Sequence, residues 1–546
     1  MAKNSQFYLL AVTLALLSGG IIAQSLPPYD ESIDVLLYDL DLNLVENFTK
    51  NTHRSFEAKQ EIRFVTGSLN TDRMIRFHAS QASIIPVQIE GAELVKHESG
   101  ILYLRLAESI SAGDTVTIKL RYSHSGVKDE GFFVSKGSVF TNNAPIEARD
   151  WFICNDHPSD KALFSISVTV PGDVIVGAVG QNEGITDTIG HKKWKWRSLI
   201  PMATYQMVFS ASTDYKLKKS SVRSKLSGRD IPVELYWRKN ENEREVNYIR
   251  DIIPIMLDFF EDHFGEYPFE KISFATLTSD FPYGGMENQS FITLCAGCWY
   301  DLLAVHEFAH QWFGDLITPA NWEDIWLNEG FAEYMEAYWI ETWTRPEDGQ
   351  YKALIRDFAN YYFIADPKEA ISDSKWNTDI PPGEEFYNSA LIYKKAACVI
   401  YMLREEVGKE KFFEILKRFT TDPALKFGNA TTADFIKITN ELTGKDYNWF
   451  FDQWLKHPGH PVYMNRFRFL SENGSDILEA TFIQEGWERL YYQANFELKV
   501  QYNDGSSEVF TGFNSENGET FRFMVKPGAD RVIFDPEEKI ILKKEF

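Results

Sequence analysis

From about Leu26 to Ser210, hydrophobic and polar positions alternate. Tyr38, Leu40, Leu42 and Leu44 are separated by Asp39, Asp41 and Asn43, and Val116, Ile118, Leu120 and Tyr122 repeat the device. Phe164, Ile166, Val168 and Val170 repeat it again, up to the turn signal Pro171-Gly172. Residues two apart share one face of a strand, so these runs predict a large antiparallel β module. From about Thr213 to His457 the period becomes helical. Examples are NYIRDIIPIMLDFFEDHF (Asn247 to Phe264) and NSALIYKKAACVIYMLREEVG around Tyr393, where Gly408 predicts a helix stop. KHPGHP (Lys456 to Pro461) reads as a domain boundary. Beyond it the period returns to two. Phe496, Leu498, Val500 and Tyr502 lead to the turn Asn503-Asp504-Gly505, and Phe521, Phe523 and Val525 follow. No internal repeat or low-complexity tract interrupts the chain.

This succession predicts an α+β multidomain protein with an N-terminal antiparallel β domain over 24–212. A mixed domain follows over 213–457, and a C-terminal immunoglobulin-like β-sandwich over 460–546. At 546 residues the chain is too long for one core. Residues 1–23 read as a secretory signal peptide, with Lys3 as the positive end, Phe7 to Leu17 as the apolar stretch and small residues to Ala23. A secreted or periplasmic location is expected, with a retained anchor as the alternative. No later segment is apolar enough for an ordinary membrane-spanning helix.

The densest chemistry lies between Gly284 and Glu329: GGMEN (Gly284 to Asn288), HEFAH (His306 to His310) and WLNEGFAEY (Trp326 to Tyr334). Around HEFAH, apolar Leu302, Val305, Ala309 and Trp312 recur at helical spacing, so His306 and His310 project from one helical face. Two imidazoles so placed can hold one zinc ion, with Glu307 beside them to take a proton from the attacking water. Zinc needs a third protein ligand, and Glu329 on the next predicted helix, Asn321 to Trp339, is the candidate. A two-His, one-Glu site of the thermolysin type results, with one Zn2+ per chain.

The three motifs, with the flanks QWFGD and WLNEGFAEY, resemble the zinc aminopeptidases grouped with aminopeptidase N and leukotriene hydrolase. Most of that family reads GAMEN, and GGMEN is closer to the leukotriene hydrolase branch. The likeness runs from about Tyr38 to about Trp454. It implies a thermolysin-like catalytic domain that removes N-terminal residues from peptides with a free amino end. In it, Glu287 of GGMEN holds the substrate's α-ammonium, while Gly284, Gly285, Met286 and Asn288 flank the peptide, with the two glycines running along it as an edge strand. The family also places a Tyr in a YxKG-like segment to stabilise the oxyanion. Tyr393 of Tyr393-Lys394-Lys395-Ala396 matches, with Ala396 for the usual Gly and Tyr387 as a competing hydroxyl. The segment Glu147 to Ala162 also resembles the family. There, Ala144 stands where a Gln usually helps hold the amino end, with Asn142 and Asn143 nearby. Many relatives carry a helical solenoid that roofs the site. This sequence stops at Phe546, and an unroofed cleft is expected.

Charge and cysteines change the picture little. A net charge of −23 argues against nucleic acid or an anionic membrane as partner. The four cysteines are too few for a disulfide scaffold, and Cys295 and Cys298 form either a local disulfide or two buried thiols. Trp312, Trp322, Trp326 and Trp339 read as packing. Glu333, one turn after Glu329, reads as a surface acid, with orientation of a ligand His as the alternative. Asn47, Asn429 and Asn473 begin glycosylation sequons. Three other functions stay open: an added epoxide hydrolase activity, an endopeptidase, and a non-catalytic zinc-containing binding protein. The oligomeric state is not encoded in these patterns.

Overall fold

The computed structural model describes residues 24–25, 29–50, 52–135, 137–345, 348–381, 383–485 and 490–545. The expected signal peptide, 1–23, lies outside them. A seven-stranded sheet runs in the order Gln181–Thr188, His191–Arg197, Leu163–Pro171, Ile33–Asn43, Phe56–Thr66, Thr115–His124, Ile84–Glu90. One pair departs from the expected antiparallel pattern: Leu163–Pro171 lies parallel to Ile33–Asn43. The long excursion between residues 43 and 163 allows this, since a parallel pair needs a crossover rather than a tight turn. Tyr38, Leu40, Ile62, Ile118, Leu120 and Val168 bury one face of the sheet together. Each such side chain contributes about 1.5–3 kcal/mol. A second, four-stranded sheet carries Phe140, which stacks on Phe133 (centroids 4.8 Å apart) and meets Phe281 of the central module edge-on.

The central module opens on a mixed five-stranded sheet: Tyr215–Arg223, Asp230–Arg238, Ile272–Thr276, Ile292–Leu294 and, at the edge, Gly285–Met286. The edge strand runs antiparallel to Ile292–Leu294. The helix Glu243–Phe264 packs alongside; Asn242 caps it by accepting from Arg244 N–H, and Gly265 at φ +94° ends it. The helices Asp301–Ala309, Trp326–Trp343, Gln350–Ala365 and Ala396–Val407 follow, and Gly408 ends the last at φ +86° as expected. The four tryptophans Trp312, Trp322, Trp326 and Trp339 are all buried.

After Leu455, two three-stranded antiparallel sheets and a small mixed one form a C-terminal β module. Phe496, Leu498, Val500 and Tyr502 point inward from one sheet. Phe482 and Phe496 lie 4.2 Å apart between centroids, and Phe521 closes on Phe496 at 4.8 Å. Such pairs add about 0.5–1.5 kcal/mol beyond their buried area. This module is tied back to the helices by Gln453 Nε2 donating to Gln493 O and Tyr401 O–H donating to Glu538 O. Cys295 and Cys298 are disulfide-bonded, with Cα atoms 5.3 Å apart. Asn47 is buried, its amide donating to His53 O and Ser55 O, which leaves no room there for a glycan. No helix of the described residues is long and apolar enough to cross a membrane.

Candidate metal centre

The HEFAH helix, Asp301–Ala309, is shorter than its apolar pattern predicts. His310 is its cap, and the following residues bond five apart: Asp315 N–H to His310 O (2.9 Å) and Leu316 N–H to Gln311 O (3.3 Å). This widened turn takes Trp312 off the helix while keeping it buried against Phe260, with ring centroids 5.2 Å apart. Phe308 packs on Phe260 and Tyr267, fixing the opposite face of the helix. His306 and His310 therefore project together, their ring centroids 4.9 Å apart.

A three-residue turn, Trp322–Asp324, leads into the helix Trp326–Trp343 and sets Glu329 in its first turn. Glu329 Oε2 lies 3.5 Å from His306 Nε2 and 3.3 Å from His310 Nε2. The ligand atoms of His306, His310 and Glu329 all fall within 4.8 Å of one another, so the three predicted ligands converge. A second set, Glu287, Glu307 and His310, meets the same limit. Glu287, Glu307 and Glu329 therefore surround two imidazoles, an acidic excess that a divalent cation would balance. Glu307 Oε2 is buried with no hydrogen-bond partner among the described residues. A dry, unpartnered carboxylate oxygen is costly, and it fits a site built around a metal and a reactant.

The electrostatics agree. Burial works against charge on Glu329, yet His310 and His306 hold its carboxyl down at about 2. Burial pushes Glu307 up to about 8. Burial also raises Glu287, and the charge of Glu329 adds to the rise.

The support around the ligands departs from expectation in one respect. Glu333 is not a surface acid: it is buried and ion-paired with Lys394. The acceptor that orients His306 is Glu336, whose Oε1 lies 3.0 Å from Nδ1; Glu333 stands 4.0 Å away. Facing a carboxylate, Nδ1 must carry the hydrogen, which leaves Nε2 free to ligate. For His310, Asn328 Oδ1 (2.6 Å) and Phe313 O (3.1 Å) do the same.

GGMEN lies on the sheet edge nearest these ligands. Gly285 passes so close to Glu307 that a Cβ there would lie 2.8 Å from Glu307 Cγ, which no side chain would tolerate without moving the carboxylate. Gly284 is exposed and Gly285 half-exposed, whereas Met286, Glu287 and Asn288 are buried. Gln311, the residue after HEFAH, clamps this loop with all its hydrogen-bonding atoms. Its Oε1 accepts from Ser290 N–H and Tyr267 O–H, and its Nε2 donates to Glu287 O and Asp315 Oδ2. Asp315 in turn meets Gln206, and Lys161 Nζ donates to Asp315 O at 2.9 Å, so the N-terminal module buttresses the centre.

Tyr393 sits in a π-helical turn, Ser389–Lys395, of a kind frequent at functional positions. Its ring stacks on His306 at 6.0 Å between centroids. Tyr387 packs instead on Tyr283. Burial and Glu329 keep the Tyr393 hydroxyl protonated, a donor. Ala396, in place of the family's usual Gly, is accommodated from the other side. Gly330 faces it, and a Cβ on Gly330 would lie 2.7 Å from the Ala396 methyl. Ala144 is buried, and its carbonyl accepts from Tyr283 O–H at 3.4 Å. Asn143 is committed to Thr204 O, Met207 O and Trp151 Nε1–H, while Asn142 Oδ1 is buried without a partner among the described residues.

Residues 248–454 match the profile of the peptidase family M1 domain, and 35–206 that of the peptidase M1 N-terminal domain. The chain belongs to the M1 peptidases. It is 26% identical over 402 residues to "Aminopeptidase A" of Gloydius brevicauda, across 68% of this chain and 40% of that protein. It is 28% identical over 401 residues to "Aminopeptidase N" of Lactococcus lactis subsp. lactis, across 67% and 44%. The chain thus matches less than half the length of these curated relatives. In fold it is similar to an M1 zinc metallopeptidase from Deinococcus radiodurans (TM-score 0.68, 21% identity, 80% of this chain and 96% of that one). It is also similar to Legionella pneumophila aminopeptidase A in complex with aspartic acid (TM-score 0.76, 18% identity, 94% and 60%). The cofactor of this M1 chain is zinc, in keeping with two imidazole nitrogens and one carboxylate as donors.

Sequence reasoning missed Asn328, Glu336, Gln311 and Gly314. Glu336 carried a usable signal, since Glu329, Glu333 and Glu336 fall on one helical face. Asn328 and Gln311 had only their adjacency to ligands.

Proposed function

We propose that the chain is a zinc-dependent aminopeptidase, hydrolysing the first peptide bond of substrates with a free amino end. The observation that carries this is Glu287. It is a buried carboxylate whose ligand atom falls within 4.8 Å of those of Glu307 and His310, at the end of an accessible edge strand. A fixed anion at that distance binds an ammonium group by charge-assisted hydrogen bonds and sets cleavage one residue in.

His306, His310 and Glu329 hold the zinc, which when bound supplies Lewis acidity to the scissile carbonyl and to water. Glu307 takes a proton from the attacking water and passes it to the leaving amine. Its burial keeps the carboxyl basic enough for both steps. Tyr393 donates its hydroxyl proton in a hydrogen bond to the developing oxyanion. The backbone of Gly284 and Gly285 lies along the substrate, with Met286 and Asn288 holding the strand from inside.

The reading extends to the domain limits and to location. The chain divides into domains over 24–212, 213–457 and 460–546, the last immunoglobulin-like, supported by the facing C-terminal sheets. Residues 1–23 direct export to a secreted or periplasmic location, supported by their composition and by the Cys295–Cys298 disulfide.

Aminoacyl-coumarin hydrolysis tests the activity, with and without a chelator and beside N-acetylated controls. Chelator-sensitive release that acetylation blocks is expected. Cleavage that survives acetylation means an endopeptidase, and no release with zinc bound means a binding protein.

A further inference from the structure

Asn328 precedes the ligand Glu329 and is buried. Its amide makes two hydrogen bonds: Nδ2 donates to Glu287 Oε1 at 2.8 Å, and Oδ1 lies 2.6 Å from His310 Nδ1. Chemistry fixes which end faces which. An ionised carboxylate only accepts, so the NH2 end of the amide faces Glu287. The carbonyl end then faces His310, whose Nδ1 carries the hydrogen and whose Nε2 keeps its lone pair for the metal. One planar group, with no rotatable bond between its two polar ends, therefore spans from a metal ligand to the carboxylate beside it.

The two contacts differ in importance. His310 has a second acceptor, Phe313 O at 3.1 Å, so its orientation survives without Asn328. Glu287 has only its own backbone N–H in reserve: among the described residues Asn328 is the one side chain that donates to its carboxylate. The surroundings are shaped to keep the amide in place. Gly314 stands beside it at φ +130°, and a Cβ there would lie 2.9 Å from Asn328 Cγ.

We propose that Asn328 is a positioning residue that fixes the distance between the zinc and the amine-binding carboxylate of Glu287, and so holds cleavage at the first peptide bond. The proposal rests on the amine-binding role of Glu287. Because His310 keeps Phe313 O as a second acceptor, whatever displaces Asn328 disturbs amine recognition more than zinc affinity.

The test compares wild type with N328D, which keeps an acceptor for His310 but has no donor for Glu287, and N328A, which has neither. Both are combined with E287Q. Zinc Kd is measured by chelator competition, and KM and kcat on an aminoacyl-coumarin. N328D should hold zinc within about threefold of wild type while KM rises about 10–100-fold and kcat falls less. The double variant N328D/E287Q should be no worse than E287Q alone, because Asn328 acts through Glu287. An unchanged KM in N328D, or losses that multiply in the double variant, would overturn the proposal. So would a loss of zinc affinity that accounts for the whole defect. The same cycle, read as affinity for free L-leucine by calorimetry on zinc-loaded protein, needs no turnover. A wild type that fails to cleave therefore overturns the proposed activity, while the calorimetric cycle still decides the role of Asn328.

Discussion

Gly314 turns the chain sharply after His310, with φ +130° and its N–H donated to Ile317 O at 2.9 Å. Its carbonyl accepts from Thr318 and, at 3.3 Å, from Tyr205 O–H, so the turn is held from both modules. Alanine here meets two separate costs. The left-handed backbone strains an L-residue by about 1–3 kcal/mol. The new methyl would lie 2.9 Å from Asn328 Cγ, against an ordinary carbon–carbon separation of about 3.5–4.0 Å, so the amide must retreat by about 1 Å. Hydrogen bonds of 2.6 and 2.8 Å then pass beyond bonding range. Losing one to a buried carboxylate costs about 1.5–3 kcal/mol. G314A should therefore be destabilised by about 3–5 kcal/mol and, where folded, lose activity as the Asn328 variants do. Urea denaturation with and without zinc gives the first quantity, and kcat/KM on an aminoacyl-coumarin the second. A variant with an unchanged denaturation midpoint and kcat/KM within threefold of wild type would refute the packing argument.

Three further outcomes follow from the geometry. E307Q should retain zinc at full stoichiometry by elemental analysis while kcat falls at least about a thousandfold, because the base is removed and the ligands are not. E336Q should weaken zinc about tenfold, since Glu336 orients His306; E333Q should instead lower stability by stranding the partly buried Lys394, with zinc Kd little changed. Lys395 is fully buried with, among the described residues, one long hydrogen bond, to His457 O at 3.4 Å, and burial lowers its pKa from 10.5 to about 7. Below pH 7 the amine is protonated in both folded and unfolded chains, so the full cost of burying its charge is present there. That cost is relieved as pH rises from 7 to 10.5. K395M should therefore stabilise the protein by about 2–5 kcal/mol at pH 6, and the gain should shrink toward zero by pH 10 in urea titrations. A gain independent of pH would mean that the lysine is not buried as a charge.

What the sequence disclosed was whatever depends on neighbours along the chain. Strands at Tyr38–Leu42 and Phe496–Tyr502 were legible because one face of each is buried, and the alternation survives folding intact. The two candidate imidazole ligands were legible because a helix turn sets His306 and His310 together without help from the rest of the protein. The parallel pairing of Leu163–Pro171 with Ile33–Asn43 was not, since alternation says which face is apolar and nothing about the direction of the neighbouring strand. The HEFAH helix was overextended for a similar reason: Trp312 keeps its apolar role inside a loop, bonded five apart, that a periodic pattern cannot distinguish from helix.

The choice between Glu333 and Glu336 shows where such reading ends. Both acids lie on the face of Glu329, and sequence spacing favours neither as the partner of His306. What decides is Lys394, sixty-one residues beyond Glu333, whose ammonium draws Glu333 away from the imidazole and leaves Glu336 to accept. Lys394 is the neighbour of Tyr393 in the π-turn, and that turn reaches the ligand helix because Gly330 lets Ala396 approach. The orientation of the His306 imidazole thus depends on a glycine and an alanine outside the candidate ligand set. If that chain of contacts holds, G330A should push the π-turn outward, freeing Glu333 from Lys394 and moving Tyr393 off His306. It should then lower kcat while leaving the HEFAH ligands able to bind zinc. A G330A variant with wild-type kcat would break the chain at its first link.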